Sequence, residues 1–206
     1  MRFPILEAVT AQNENEDAVP HRRIVLTGFM GSGKSTVGPL VAARLGWKFV
    51  DVDDVIEAEA GCKIAELFAR HGEGPFRERE HAAIARLATG NHLVLALGGG
   101  AIEEARTRSL LLTMRGTLLV HLEVELETTL QRCSGTEGTR PILADRANLE
   151  SRYARRLPLY RTAHVSVRVD SLRPEQIADA IVTAQTIDLD LGPVQAGVSV
   201  QETSHE

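Results

Sequence analysis

The stretch "RIVLTGFMGSGKS", Arg23 to Ser35, decides the architecture of this chain. Four apolar or β-branched residues in succession, Ile24 to Thr27, read as a buried strand. The next eight, "GFMGSGKS" from Gly28 to Ser35, match G-x-x-x-x-G-K-[S/T] in full. A strand before the motif and a helix after it are the context this chemistry needs. Gly28, Gly31 and Gly33 let the loop wrap so that successive amides point inward at phosphate oxygens, and the helix N-terminus adds partial positive charge. Lys34 is placed to reach between the β and γ phosphates of a nucleotide, and the Ser35 hydroxyl to meet magnesium.

Outward from this loop the chain alternates strands and helices. "KSTVGPLVAARLG" reads as a helix with Val37, Leu40, Val41 and Leu45 on one face; Pro39 is tolerated if it falls within about the first turn, where amides have no partner. "KFVDVD" reads as a second strand, and "VIEAEAG" and "KIAELFARHG" as two short helices parted by Gly61. "GPFREREHAAIARLATG" reads as a helix with Pro75 at its first position and a buried stripe of Phe76, Ile84 and Leu87, ending at Gly90. Strands "HLVLAL", "TLLVHL" and "HVSVRV" follow, separated by helices around "EEARTRSLLLTM", "ELETTLQRC" and "LESRYARRLPLY", with "PEQIADAIVTAQ" as the last helix. This order predicts an α/β fold with a five-stranded parallel sheet covered by helices on both faces.

The chain has 206 residues, 43% of them hydrophobic, enough for one domain with a sizeable core. We place that domain at 22–186. Residues 1–21, with "NENED" and no periodicity, read as a flexible leader. Residues 187–206 read as a flexible tail, in which "LDLDLG" alternates like an edge strand. A net charge of -5 and 4% aromatic residues give no support to nucleic-acid binding. No apolar run is long enough to span a membrane. Cys62 and Cys133 have no metal or redox spacing and read as free thiols in a reducing cytoplasm.

Three further stretches carry candidate chemistry. In "FVDVDD", Asp51 and Asp53 lie two apart; at the end of a strand, period-2 geometry puts both on one side, one to hold magnesium through water and the other to orient a hydroxyl. If that strand neighbours the first, both lie beside the phosphate loop. Helix capping by Asp53 or Asp54 is the competing assignment. "VLALGGGAI" runs a strand into Gly98, Gly99 and Gly100, where a small polar substrate could lie on bare amides; a tight turn is the competing explanation, though it needs only one or two glycines. Six arginines from Arg140 to Arg161 face only Asp145 and Glu150, a local charge of +4. Arg146, Arg152, Arg155 and Arg161 read as a solvated helix face, whereas Arg140 follows the glycine-rich "SGTEGT" and suits a lid over a nucleotide. Arg77, one residue into a helix N-terminus, opposes the helix dipole without evident local gain, unless Glu78 and Glu80 offset it.

Together "GFMGSGKSTVG", "DVDDVIE", "GEGPFRERE", "LALGGGAI", "RPIL" and "RRLPLY" resemble the shikimate kinase family over roughly Arg23 to Ile181. The resemblance implies a P-loop NTPase fold with a mobile lid, here about 134–147, and phosphoryl transfer from ATP to the 3-hydroxyl of shikimate in aromatic amino-acid biosynthesis. It implies that Gly31, Ser32, Gly33, Lys34, Ser35 and Thr36 hold ATP with Arg132 flanking adenine and Arg140 at the phosphates. It implies one Mg2+ at Ser35 and, through water, Asp51. It implies that Asp53 binds the accepting hydroxyl, that Arg77 and Arg156 grip the substrate carboxylate beside Phe76, and that Gly98 to Gly100 meet its hydroxyls. Asp53, Lys34 and Arg140 would then be the catalytic residues. The accompanying expectation is a cytoplasmic monomer with small-molecule partners only. A related carbohydrate-acid kinase, such as one acting on gluconate, would use the same loop and lid; a GTP switch lacks its N-K-x-D motif here.

Overall fold

The computed structural model describes residues 21–133 and 146–186. The assignments made for residues 1–20, for 187–206 including "LDLDLG", and for the lid segment 134–145 with Arg140 lie outside the described residues. Among the described residues the order is β1 (Arg23–Thr27), α1 (Lys34–Leu45), β2 (Lys48–Asp51), α2 (Val52–Ala60), α3 (Ile64–His71), α4 (Glu73–Leu87), β3 (Leu93–Ala96), a 3-10 turn (Ala101–Glu103), α5 (Ala105–Thr113), β4 (Thr117–Glu123), α6 (Leu126–Cys133), α7 (Arg146–Tyr160), β5 (Val165–Arg168) and α8 (Pro174–Thr186).

The five strands form one parallel sheet in the order β2-β3-β1-β4-β5. β1 and β3 are buried throughout and β4 nearly so, whereas edge strands β2 and β5 are partly exposed, which accounts for their weaker apolar runs. The chain first moves from β1 to β2 and then reverses through β3 to β4 and β5. With right-handed crossovers, that reversal puts α1 on one face and the helices of the later connections on the other. The packing agrees: α1 lies on α8, while α4 touches α2, α3 and α5.

The topology corrects one expectation. β2 does not neighbour β1, because β3 inserts between them. The register nevertheless levels Leu26, Ala96 and Asp51 across the sheet, so the carboxyl ends of β1, β3 and β2 open on one crevice beside the switch in strand order. Thus β3, and the three glycines after it, lie between the phosphate loop and the paired aspartates.

Several local readings are revised by the observed helix starts. Pro39 is the sixth residue of α1, not part of its first turn, so it removes the amide that Ser35's carbonyl would have used. The buried face of α1 is Val37, Gly38, Val41 and Ala42, with Leu40 and Leu45 only half-buried. α4 begins at Glu73, which makes Pro75 its third residue and Arg77 its fifth. Arg77 therefore sits beyond the first turn, where the dipole penalty has largely faded. The buried face of α4 includes Phe76, Glu80, Ala83 and Ile84, with Leu87 half-buried.

Gly38 shows why α1 carries a poor helix former at its centre. A Cβ there would lie 2.7 Å from Cδ2 of Phe49 and nearer still to Cε2, so the helix rests directly on the β2 ring. Gly38→Ala gains about 1 kcal/mol of helix propensity but must displace the Phe49 ring, at about 1–3 kcal/mol for overpacking. The expected outcome is a lower denaturant midpoint at unchanged m-value; a higher midpoint would show that the ring moves freely.

Candidate active site

The phosphate loop has the backbone its sequence requires. Gly31 and Gly33 adopt φ values of 73° and 95°, left-handed conformations that L side chains avoid, and Gly33 caps α1. Lys34 extends back over the loop, its Nζ donating to the carbonyls of Gly28 (2.8 Å) and Phe29 (3.1 Å). Two contacts brace the outer side: Thr129 Oγ1 donates to the Met30 carbonyl at 3.2 Å, and Arg132 bridges the carbonyls of Gly31 (3.2 Å) and Val169 (3.0 Å). Arg132 thereby lies along the rim of the loop.

The aspartates are arranged differently from the period-2 expectation. Asp51 ends β2, but Asp53 lies in the first turn of α2. Asp51 itself is the N-cap: its Oδ1 accepts from the Asp53 amide at 3.1 Å, while its Oδ2 accepts from the Ser35 hydroxyl at 3.0 Å. One carboxylate thus ties the start of α2 to the start of α1, and the tight strand-to-helix turn carries Asp53 inward.

Asp53 arrives at the three glycines, and so do the other candidates. A Cβ on Gly98 would stand 2.7 Å from Asp53 Oδ1 and 2.8 Å from Glu80 Oε1. One on Gly100 would stand 2.7 Å from Arg77 Nη1. One on Gly99 would touch the Gly28 carbonyl (3.7 Å), Arg156 Nη1 (3.8 Å) and the Tyr160 hydroxyl (3.8 Å). None of the three has a positive φ, so turn geometry does not explain them. Gly98 and Gly100 are glycines because side chains from α2 and α4 fill the space their Cβ atoms would need, whereas a Cβ on Gly99 would sit at ordinary contact distance.

The charged groups form two ion pairs around that patch. Arg77 donates to Glu80 at 2.7 Å and to Glu73 at 3.0 Å, with its guanidinium carbon 5.4 Å from the centre of the Phe76 ring. Phe76 is itself buried against Phe68. Arg156, only 5% exposed, pairs with Glu103 at 2.8 Å and lies 6.0 Å from the ring of Phe29 in the phosphate loop. Tyr160, one turn further along α7, donates its hydroxyl to the Gly99 carbonyl and stacks on buried His121. Burial pushes His121 down to about 4, leaving it neutral. Among the described residues Asp53 has no arginine partner. Burial, reinforced by Asp51 and opposed by Lys34, raises its carboxyl to about 6. Burial also raises Glu80, to about 7, with the Arg77 pair pulling it back.

A phosphate loop, a raised carboxyl and two inward arginines on one glycine patch describe a site for moving phosphate to an acid. A family model described as shikimate kinase matches residues 30–186. The chain belongs to the shikimate kinase family. It is 42% identical over 176 residues to the shikimate kinase of Salinibacter ruber, covering 80% of this chain and 84% of the relative. It is also 42% identical to that of Moorella thermoacetica, over 78% and 92% of the two chains. Among solved structures, shikimate kinase from Acinetobacter baumannii in complex with shikimate superposes with a TM-score of 0.73 at 35% identity, over 79% of this chain and 92% of that one. The Aquifex aeolicus enzyme gives 0.70 at 29% identity, over 79% and 95%.

For this shikimate kinase family member the fold brings Lys34, Ser35, Asp51, Asp53, Arg77, Gly98 to Gly100 and Arg156 to one crevice. Arg132 lies at its rim and Phe76 beneath Arg77. Arg155 is an exposed helix residue as expected, though it also donates to Glu103; Arg161 is exposed but lies in the turn after α7, paired with Glu123. Sequence reasoning gave Glu80 only as an offset to the dipole cost at Arg77, and missed Glu103, Tyr160 and Thr129. Two of these had a local signal, since Glu80 lies three residues after Arg77 and Tyr160 four after Arg156, each on the same helix face. Glu103 and Thr129 had none, because their partners are 53 and 99 residues away.

Gly98→Ala tests the crowding directly. Its methyl group must displace Asp53 and Glu80 while leaving the phosphate loop intact, and a shift near 1 Å at a reacting group can cost about 100-fold. Turnover should fall by about tenfold or more with nucleotide affinity nearly unchanged. Wild-type turnover would show that the carboxylates need less room than the structure gives them.

Proposed function

We propose that this chain transfers the γ-phosphoryl group of MgATP to the 3-hydroxyl of shikimate, giving shikimate 3-phosphate and ADP. The observation that carries the reading is the meeting of Asp53, Arg77 and Arg156 over Gly98–Gly100, with Gly99 beside the phosphate-loop carbonyl of Gly28. Family membership and the relatives named above support the same substrate pair. Among the described residues no helix is long and apolar enough to cross a membrane, and neither cysteine is in a disulfide.

The loop amides from Gly31 to Thr36 take the ATP phosphates, and Lys34, now bonded to the loop's own carbonyls, has the reach and charge to turn to them. Arg77 and Arg156 bind the acid's carboxylate, fixing the ring so that one hydroxyl faces the terminal phosphate. Asp53 accepts the hydrogen bond of that hydroxyl, orients its oxygen and takes the proton as the new O–P bond forms and the bond to the ADP oxygen breaks. Its raised carboxyl, still ionised at neutral pH, suits this task. We assign Arg140 to the phosphates of ATP on the family resemblance.

The donor set fits magnesium. Ser35 Oγ and Asp51 Oδ2 are hard oxygens 3.0 Å apart at the mouth of the loop, and magnesium commonly takes one or two protein oxygens together with nucleotide phosphates and water. Bound there, the ion would neutralise phosphate charge. The chain's own residues do the positioning.

Asp53→Asn should lose most turnover while still binding nucleotide. In the wild-type enzyme, kcat/KM for shikimate should fall about tenfold per pH unit below about 6, because an acid with a raised pKa is neutral below that value and ionised above it. An acid limb centred near 4 would remove Asp53 from the mechanism. For Arg156→Ala, we expect the KM for shikimate to rise by about 100-fold, as for a lost buried charge pair, against a change of less than about threefold for ATP. Equal increases in both would show that Arg156 holds the fold rather than the acid.

A further inference from the structure

Arg77 and Arg156, the inward arginines of the cleft, are each paired with a carboxylate: Arg77 with Glu80 and Arg156 with Glu103. Glu103 ends the 3-10 turn that follows the triple glycine. Its Oε2 accepts from Arg156 Nε at 2.8 Å and from Nη2 at 2.8 Å, and its Oε1 accepts from Arg155 Nε at 2.8 Å. The Arg156 side chain is 7% exposed and that of Glu103 20%. Glu103 also lines, with Glu73, Glu104 and Arg77, the outer part of the same cleft.

We propose that Glu103 is a positioning residue for substrate selection: it clamps the Nε–Nη2 edge of Arg156 so that the Nη1 side is presented over Gly99 to the carboxylate of an incoming acid. A guanidinium has two edges suited to paired acceptors, and Nε can donate in only one direction. With that edge taken by Glu103, Nη1 stands 3.8 Å from the position a Gly99 Cβ would have, on the substrate side. Glu103 therefore leaves the acid-binding edge clear of carboxylates, with the neutral Tyr160 hydroxyl as its neighbour over Gly99. It also holds Arg156 away from the other carboxylates of the cleft. Glu80 already feels the Arg156 charge, and an Arg156 released from Glu103 would be drawn toward it, upsetting the Arg77–Glu80 pair as well. Arg155, 60% exposed, supports Glu103 from solvent and carries little of the effect.

The inference rests on Arg156 being the carboxylate anchor proposed above, and the test separates the two. Steady-state kinetics are measured for wild type, Glu103→Gln, Glu103→Asp and Arg155→Ala, each with shikimate and with its carboxamide analogue, and thermal midpoints are recorded. For Glu103→Gln the KM for shikimate should rise about tenfold, with kcat and the KM for ATP within about twofold, and the preference for acid over amide should shrink by a similar factor. Glu103→Asp, which retains the charge, should recover part of that preference and remains informative if the Gln variant does not fold. Arg155→Ala should stay within about twofold of wild type.

An unchanged or lower KM for shikimate in both Glu103 variants would overturn the proposal and make Glu103 a bystander or a competitor of the substrate. Parallel changes in both KM values, with a loss of thermal stability, would reduce it to a structural contact. A wild-type enzyme that uses acid and amide equally well would instead overturn the assignment of Arg156, and this inference with it.

Discussion

The site depends on one steric constraint: the backbone after β3 must carry no side chain at Gly98 or Gly100. Gly98, Gly99 and Gly100 have φ values open to any residue, so conformational freedom is not what they contribute. What they supply is room. Asp53 and Glu80 press on the first and Arg77 on the third, while Arg156 and Tyr160 lie at ordinary contact distance over the second. Because β3 lies beside β1, that bare surface stands next to the phosphate loop, and the acceptor and donor halves of the reaction share one wall.

The charges around this surface divide into holders and a reactant. Arg77 with Glu80 and Arg156 with Glu103 are partly buried ion pairs, and desolvation makes such pairs weak contributors to stability. Their value lies in orientation, since each glutamate fixes the plane of a guanidinium that would otherwise swing. Asp53 is left without such a partner. It feels burial and its neighbour Asp51 more than it feels Lys34, which is why its carboxyl rises while the arginines remain charged. A cleft with two oriented guanidiniums and an Asp53 carboxyl raised to about 6 is suited to gripping an anion and relieving a hydroxyl of its proton.

Much of the fold was legible because it is written in short patterns. The five strands, the phosphate loop and the helices between them follow from apolar runs, glycines and periodicity, each confined to fifteen residues or fewer. The errors came at junctions. "FVDVDD" alternates like a strand, yet the chain turns into α2 at Val52 because Asp51 caps that helix, and an N-cap residue looks like a strand residue until the turn after it is seen. Pro75 suggested a helix start two residues too late, since the first turn tolerates proline at more than one position. That shift is what made Arg77 look misplaced against the helix dipole.

The sequence by itself determined that this chain binds phosphate on a loop between β1 and α1, that its sheet is parallel, and that its motifs are those of the shikimate kinase family. These properties depend on residues adjacent or one helical turn apart, where covalent geometry dictates contact. Only the tertiary structure decided that β3 separates β1 from β2, that the triple glycine is the common floor under Asp53, Arg77 and Arg156, and that Glu103 stands behind Arg156. Those contacts join α2, α4, the 3-10 turn and α7 across tens of residues. The order in which strands pair, which no local spacing encodes, is what brings them together.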